Sequence, residues 1–171
     1  SVSGTSEKPV KVFIHKSDAE FFLSQKLRLI TMHPKLKFKI PHSPGRLPEK
    51  EKYELIELDH ESGLNPLSHW GVEFIHTPGH TPGHTSFLHK KSMSLFSGCG
   101  FSMIGKNTAG IVPVFYDREK QVESAYKLAQ MEFSYLYPAH LSVRNDEIKR
   151  EDREKIKGKL STADRITGSM P

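Results

Sequence analysis

A mixed α/β domain is the fold class that this sequence predicts, and three observations predict it. Period-two alternation recurs in short segments rich in β-branched and aromatic residues. An i, i+3, i+4, i+7 apolar stripe follows Asp117. The two kinds of segment interleave along 171 residues, a length that suits one domain over 1–171 with a core of its own.

The elements follow in order. Val10 to His15 alternates as a strand does, and Ser17 with Glu20 three residues later reads as a capping box opening a short helix whose apolar side is Phe21, Phe22 and Leu23. Over residues 31–50, Pro34, Pro41, Pro44, Gly45 and Pro48 break any period and predict an irregular loop over a cleft or sheet edge. Tyr53 to Leu58 alternates weakly, and Val72 to His76 is a clearer strand, stopped by Pro78 and Gly79. Thr85–His89 and Met93–Ser97 flank Lys90, Lys91 and Ser92 as a hairpin would. A glycine-containing loop is expected from Gly98 to Gly110. Asp117 is placed to cap a helix striped by Val122, Ala125, Tyr126 and Ala129; Phe133 to Tyr137 is a short buried strand, and 142–171 a charged helix and tail.

Composition narrows the function classes. Hydrophobic residues are 36% and charged residues 26%, and no apolar run reaches the roughly 18 residues of a membrane helix. One cysteine, Cys99, and a polar start without an apolar signal core fit a reducing cytoplasm. The net charge of +5 is dispersed, with Glu147, Glu151, Asp152 and Glu154 among the bases, so a solvated surface is favoured over a nucleic-acid footprint.

Thr77 to His84 is the most specific stretch. Two Pro-Gly turns bracket His80 and present its imidazole from a tight loop at a strand end, the rigidity that a metal ligand needs. This segment, with Val72 to His76 before it and Thr85 to Phe87 after it, resembles the third metal-binding motif of the metallo-β-lactamase superfamily, especially its glyoxalase II-like hydrolases. The likeness continues in order through Lys11–Glu20, Leu95–Gly98, Glu123–Leu128 and Tyr137–His140.

The resemblance implies an αββα sandwich, incomplete at its N-terminus, in which His80 is a ligand of the first metal and His140 of the second. It puts Cys99 where most of the family has a bridging aspartate. His76 and His84 flank the turn and are expected to hydrogen-bond the loop or line its pocket. The other histidines, His15, His33, His42, His60, His69 and His89, have no partner at ligand spacing and read as structural or exposed. The family's first motif, HxHxDH, does not occur in the sequence. Thiolate and imidazole donors suit zinc, and three of them with a water make an acceptable site, although family geometry aims His80 and His140 at different ions.

The expectation is therefore a truncated or degenerate hydrolase-like domain with a compromised metal site, inactive as an isolated chain. The alternative is a fragment of an active zinc-dependent hydrolase of a small-molecule ester, thioester or lactam, whose missing ligands come from another segment. Loss of the first strands would bare a sheet edge and favour a homo-oligomer.

Overall fold

The computed structural model describes residues 8–25, 28–32, 38–42, 49–100, 102–105, 108–112 and 114–139. Its elements in chain order are β1 (Val10–His15), α1 (Lys16–Ser24), β2 (Arg28–Met32), β3 (Phe38–His42), β4 (Tyr53–Leu58), β5 (Val72–His76), β6 (Thr85–His89), β7 (Ser94–Gly98), β8 (Ser102–Gly105), β9 (Thr108–Gly110), β10 (Val114–Phe115), α2 (Arg118–Gln130) and β11 (Tyr135–Pro138). The expected charged segment 142–171 lies outside the described residues, as does His140.

Two sheets frame the site. In the larger, the order is β11-β7-β6-β5: β5, β6 and β7 run antiparallel and β11 joins β7 in parallel. The strands bury alternate residues, Ser86 and Leu88 on β6 and Leu95 and Ser97 on β7, because successive side chains face opposite sides of the sheet. α2 covers that face. Leu128 and Ala125 from the helix meet Ile75, Leu88, Leu95 and Leu136 in one core, closed by Phe133. Full burial of Leu95, Leu128 and Leu136 stabilises by about 1.5–3 kcal/mol each before entropy is counted. In the smaller sheet β1 and β4 pair in parallel, with His15 opposite Leu58, and α1 packs on them. Each of these two sheets thus carries one helix, the mixed α/β arrangement expected.

Some local expectations need correction. α1 is capped by His15 rather than by Ser17: the His15 imidazole Nδ1 accepts from Ser17 N–H at 3.2 Å. Asp117 does cap α2, accepting from Lys120 N–H. The buried face of α2 is centred on Gln121, Ala125 and Leu128, with Val122 and Tyr126 at its margin, because polar Gln121 and Ser124 find partners inside. Within 31–50, the expected irregular loop, β3 pairs antiparallel with β2; it is an edge strand, where Pro41 costs no hydrogen bond on its outer side. Likewise the expected loop at 98–110 contains the β8–β9 hairpin. No helix among the described residues is long and apolar enough to cross a membrane.

Candidate functional site

His80 sits in the β5–β6 connection, and neighbours on both sides hold that loop. Thr77 N–H bonds His84 O at 2.9 Å, and Gly79 N–H bonds Thr81 O at 3.0 Å, closing the two turns on themselves. The start of α2 then clasps the loop: Tyr116 and Asp117 N–H both donate to Gly79 O, at 2.8 and 2.9 Å, and Ser124 Oγ donates to Pro78 O at 2.7 Å. Gly79 is required here. Its φ is +134°, and a Cβ would lie 2.3 Å from the backbone of Gln121. From the other side, Asp18 at the start of α1 accepts from the Thr81 hydroxyl and lies against Gly83.

This anchoring fixes the state of the His80 ring. Its Nδ1 is 2.9 Å from Val114 O, an acceptor only, so Nδ1 carries the proton and Nε2 keeps the lone pair. The same carbonyl accepts from buried Gln121 Nε2 at 3.1 Å, which holds it in place. A histidine whose other nitrogen donates to a backbone carbonyl is oriented as metal-ligating imidazoles are.

His84, edge-on to His80 at 5.9 Å between ring centroids, has both nitrogens engaged. Nδ1–H donates to Thr77 O at 3.0 Å, and Nε2 accepts from Cys99 N–H at 2.9 Å. Thr77 Oγ1, Ser86 Oγ and Ser97 O extend the chain of hydrogen bonds across β5, β6 and β7. His84 therefore fastens the turn carrying Cys99, and burial lowers its pKa to about 4. Gly98, with φ +57°, leaves room for the ring: a Cβ there would be 2.6 Å from Nε2. Cys99 is a partly buried free cysteine, and burial pushes its thiol pKa up, away from the thiolate a metal would take. His84 thus brings His80 and Cys99 into one neighbourhood, while His140 lies outside the described residues.

A second cluster went unmarked in the sequence. His15, His60 and His76 each offer a ring nitrogen within 4.8 Å of the others, close enough to hold a metal ion. Here His76, expected beside the turn, does bond the loop: its Nε2–H donates to Pro82 O at 2.9 Å. Its Nδ1 must then accept, and His60 Nε2 lies 3.3 Å away as donor. His60 Nδ1 in turn accepts from His15 Nε2–H at 2.9 Å, leaving His15 Nδ1 for Ser17 N–H. Protons assigned from the Pro82 end and from the Ser17 end agree, giving three neutral rings protonated at Nε2. Burial foremost, then the nearby His76 and His60, lowers the His15 pKa to about 4; burial likewise lowers that of His76. The signal that could have found the trio is position. β1 and β5 end on His15 and His76, and His60 comes two residues after β4.

Comparison with known proteins agrees with this architecture. An archaeal metallo-beta-lactamase superfamily protein from Sulfolobus tokodaii matches at a TM-score of 0.50 with 17% identity, over 87% of this chain and 57% of its own, which shows a shared fold. TTHA1623, solved in a di-iron-bound form, matches at 0.45 and 20% over 78% and 59%. A metallo-beta-lactamase family protein from Thermus thermophilus matches at 0.37 and 22% over 53% and 30%. The chain covers less than two thirds of each of these structures. No curated protein sequence matches it. The sequence profile of the metallo-beta-lactamase superfamily matches residues 5–140, most of the chain, and this protein belongs to that superfamily.

Proposed function

We propose that this chain carries part of a metal-dependent hydrolase centre, with His80 as its best-formed ligand, and that the centre is compromised when the chain stands alone. The observation that carries this reading is the His80 Nδ1–H bond to Val114 O, which fixes a ligand-type tautomer on a loop tied to both helices. Cys99 and His140 are the proposed companions. Imidazole and thiolate donors favour zinc among the available divalent ions.

The donor set falls short of a two-metal centre. No HxHxDH occurs in the sequence, so the two histidines, the aspartate and the further histidine of that motif are not supplied by it. Such centres use a metal-bound water, acidified to a pKa of about 7, against a carbonyl carbon. That chemistry belongs to this chain only if further ligands join it, in which case an ester, thioester or lactam is the substrate class.

Zinc content by mass spectrometry, with thioester and β-lactam hydrolysis measured with and without added zinc, tests the reading. Expected for the isolated chain are no turnover and no ion whose retention depends on His80. Two tightly held ions and turnover, both abolished by His80→Ala, would overturn the claim that the centre is compromised.

A further inference from the structure

Three strand ends meet at the histidine trio. β1 and β4 run parallel in register, so His15 and the residues just after Leu58 emerge side by side, and β5 brings His76 from the other sheet. Lys16 ties the first two ends by ion pairs with Asp59 at 2.9 Å and Glu61 at 2.5 Å, on either side of His60. His60 is exposed and lines an open cavity of about 300 Å³ with Asp59 and Glu73.

The spacing of His60 and His76 suits two ligands of one ion, once the rings swing from facing each other to face a common point. Their facing nitrogens are 3.3 Å apart. Two nitrogens on a tetrahedral ion with bonds of about 2.0–2.1 Å stand roughly 3.3 Å apart. His76 already has the outer hydrogen bond of a ligating ring, from Nε2–H to Pro82 O.

We infer that His60 Nε2 and His76 Nδ1 anchor a binding site for one borderline divalent transition ion of the zinc, nickel or copper class, which His15 completes. All-imidazole donors select that class over magnesium or calcium. The site shares no ligand with the His80 loop and stands whether or not the hydrolase reading does.

His15 joins at a cost. Its ring lies parallel to that of His76, 5° apart in plane and 4.0 Å between centroids. Imidazole lone pairs lie in the ring plane, so two stacked rings do not aim at one point, and His15 must turn to coordinate. Binding is also an exchange of tautomers. When His60 Nε2 takes the ion, its proton moves to Nδ1; when His15 Nε2 does so, its proton also moves to Nδ1. The charge on the three rings is unchanged, and Ser17 N–H loses the acceptor that caps α1.

The test is a Zn²⁺ titration of the His80→Ala chain, read by calorimetry and by ¹⁵N NMR of its imidazoles. Expected is one equivalent of bound Zn²⁺, with His15 and His60 passing from Nε2–H to Nδ1–H while His76 stays at Nε2–H. His60→Ala on the same background should weaken binding at least about tenfold, since loss of an outer-shell partner alone costs roughly that much; His60 is exposed, so this substitution spares the core. Equal Zn²⁺ affinity in the His60→Ala chain, or three tautomers unmoved by saturating Zn²⁺, would overturn the site. Because His80 is already removed, neither result bears on the hydrolase centre.

Discussion

The loop around His80 and the trio of His15, His60 and His76 lie within a few residues of each other in sequence at His76, yet they are built differently. The loop is made by one contiguous stretch, stiffened by two Pro-Gly turns and clasped by both helices. The trio is assembled from three strand ends and owes its order to a line of hydrogen bonds. The two clusters also protonate oppositely: His80 and His84 carry Nδ1–H, the trio carries Nε2–H. A contiguous motif fixes a side chain by backbone geometry, whereas a convergent one fixes it through its neighbours.

Breaking the loop should have the largest effect. Gly79→Ala puts a Cβ 2.3 Å from the Gln121 backbone at a φ of +134°, and a loss of about 3 kcal/mol or more in denaturant unfolding is expected. His84→Ala should cost about 2–3 kcal/mol by stranding Cys99 N–H and the Thr77 acceptors in a buried place. Acid acts on both clusters together. His84 and His15 have folded pKa values of about 4, below the ordinary 6.5, so their neutral forms favour the fold. Stability of the metal-free protein is then full above pH 6.5 and falls as pH drops from 6.5 towards about 4, since the unfolded chain binds the protons first. His84→Gln should flatten part of that slope in melting curves taken across the range.

Disturbing the trio should cost less. His60→Ala leaves the Nε2–H of His15, only 1% exposed, without its acceptor, and about 1 kcal/mol of stability should be lost. Smallest of all, Lys16→Ala removes two surface ion pairs and should leave the melting temperature unchanged within error. A Lys16 effect rivalling that of Gly79 would mean that the strand ends are held by charge and not by the histidine chain.

The same contrast explains what the sequence disclosed. The β6–β7 hairpin, the Asp117 cap and the His80 loop were legible because each is determined within about ten residues by turn and cap chemistry. His84 was legible as a loop partner, but its hold on Cys99 N–H depends on how far β7 runs beside β6. The trio was not legible by spacing, since His15, His60 and His76 are brought together only by the β1–β4 register and the approach of β5. The His15 cap on α1 was hidden for a related reason: a histidine ending a strand is not an expected cap, and Ser17 with Glu20 offered a familiar one two residues on. In 31–50, prolines argued for a loop where an edge strand tolerates them.

Long-range ¹⁵N NMR of the imidazoles in metal-free protein at neutral pH measures the opposition between the two clusters directly. His80 and His84 should show protonated Nδ1, and His15, His60 and His76 protonated Nε2. A His80 ring protonated at Nε2, or a trio of mixed tautomers, would contradict the separation of a backbone-clasped loop from a hydrogen-bonded histidine chain.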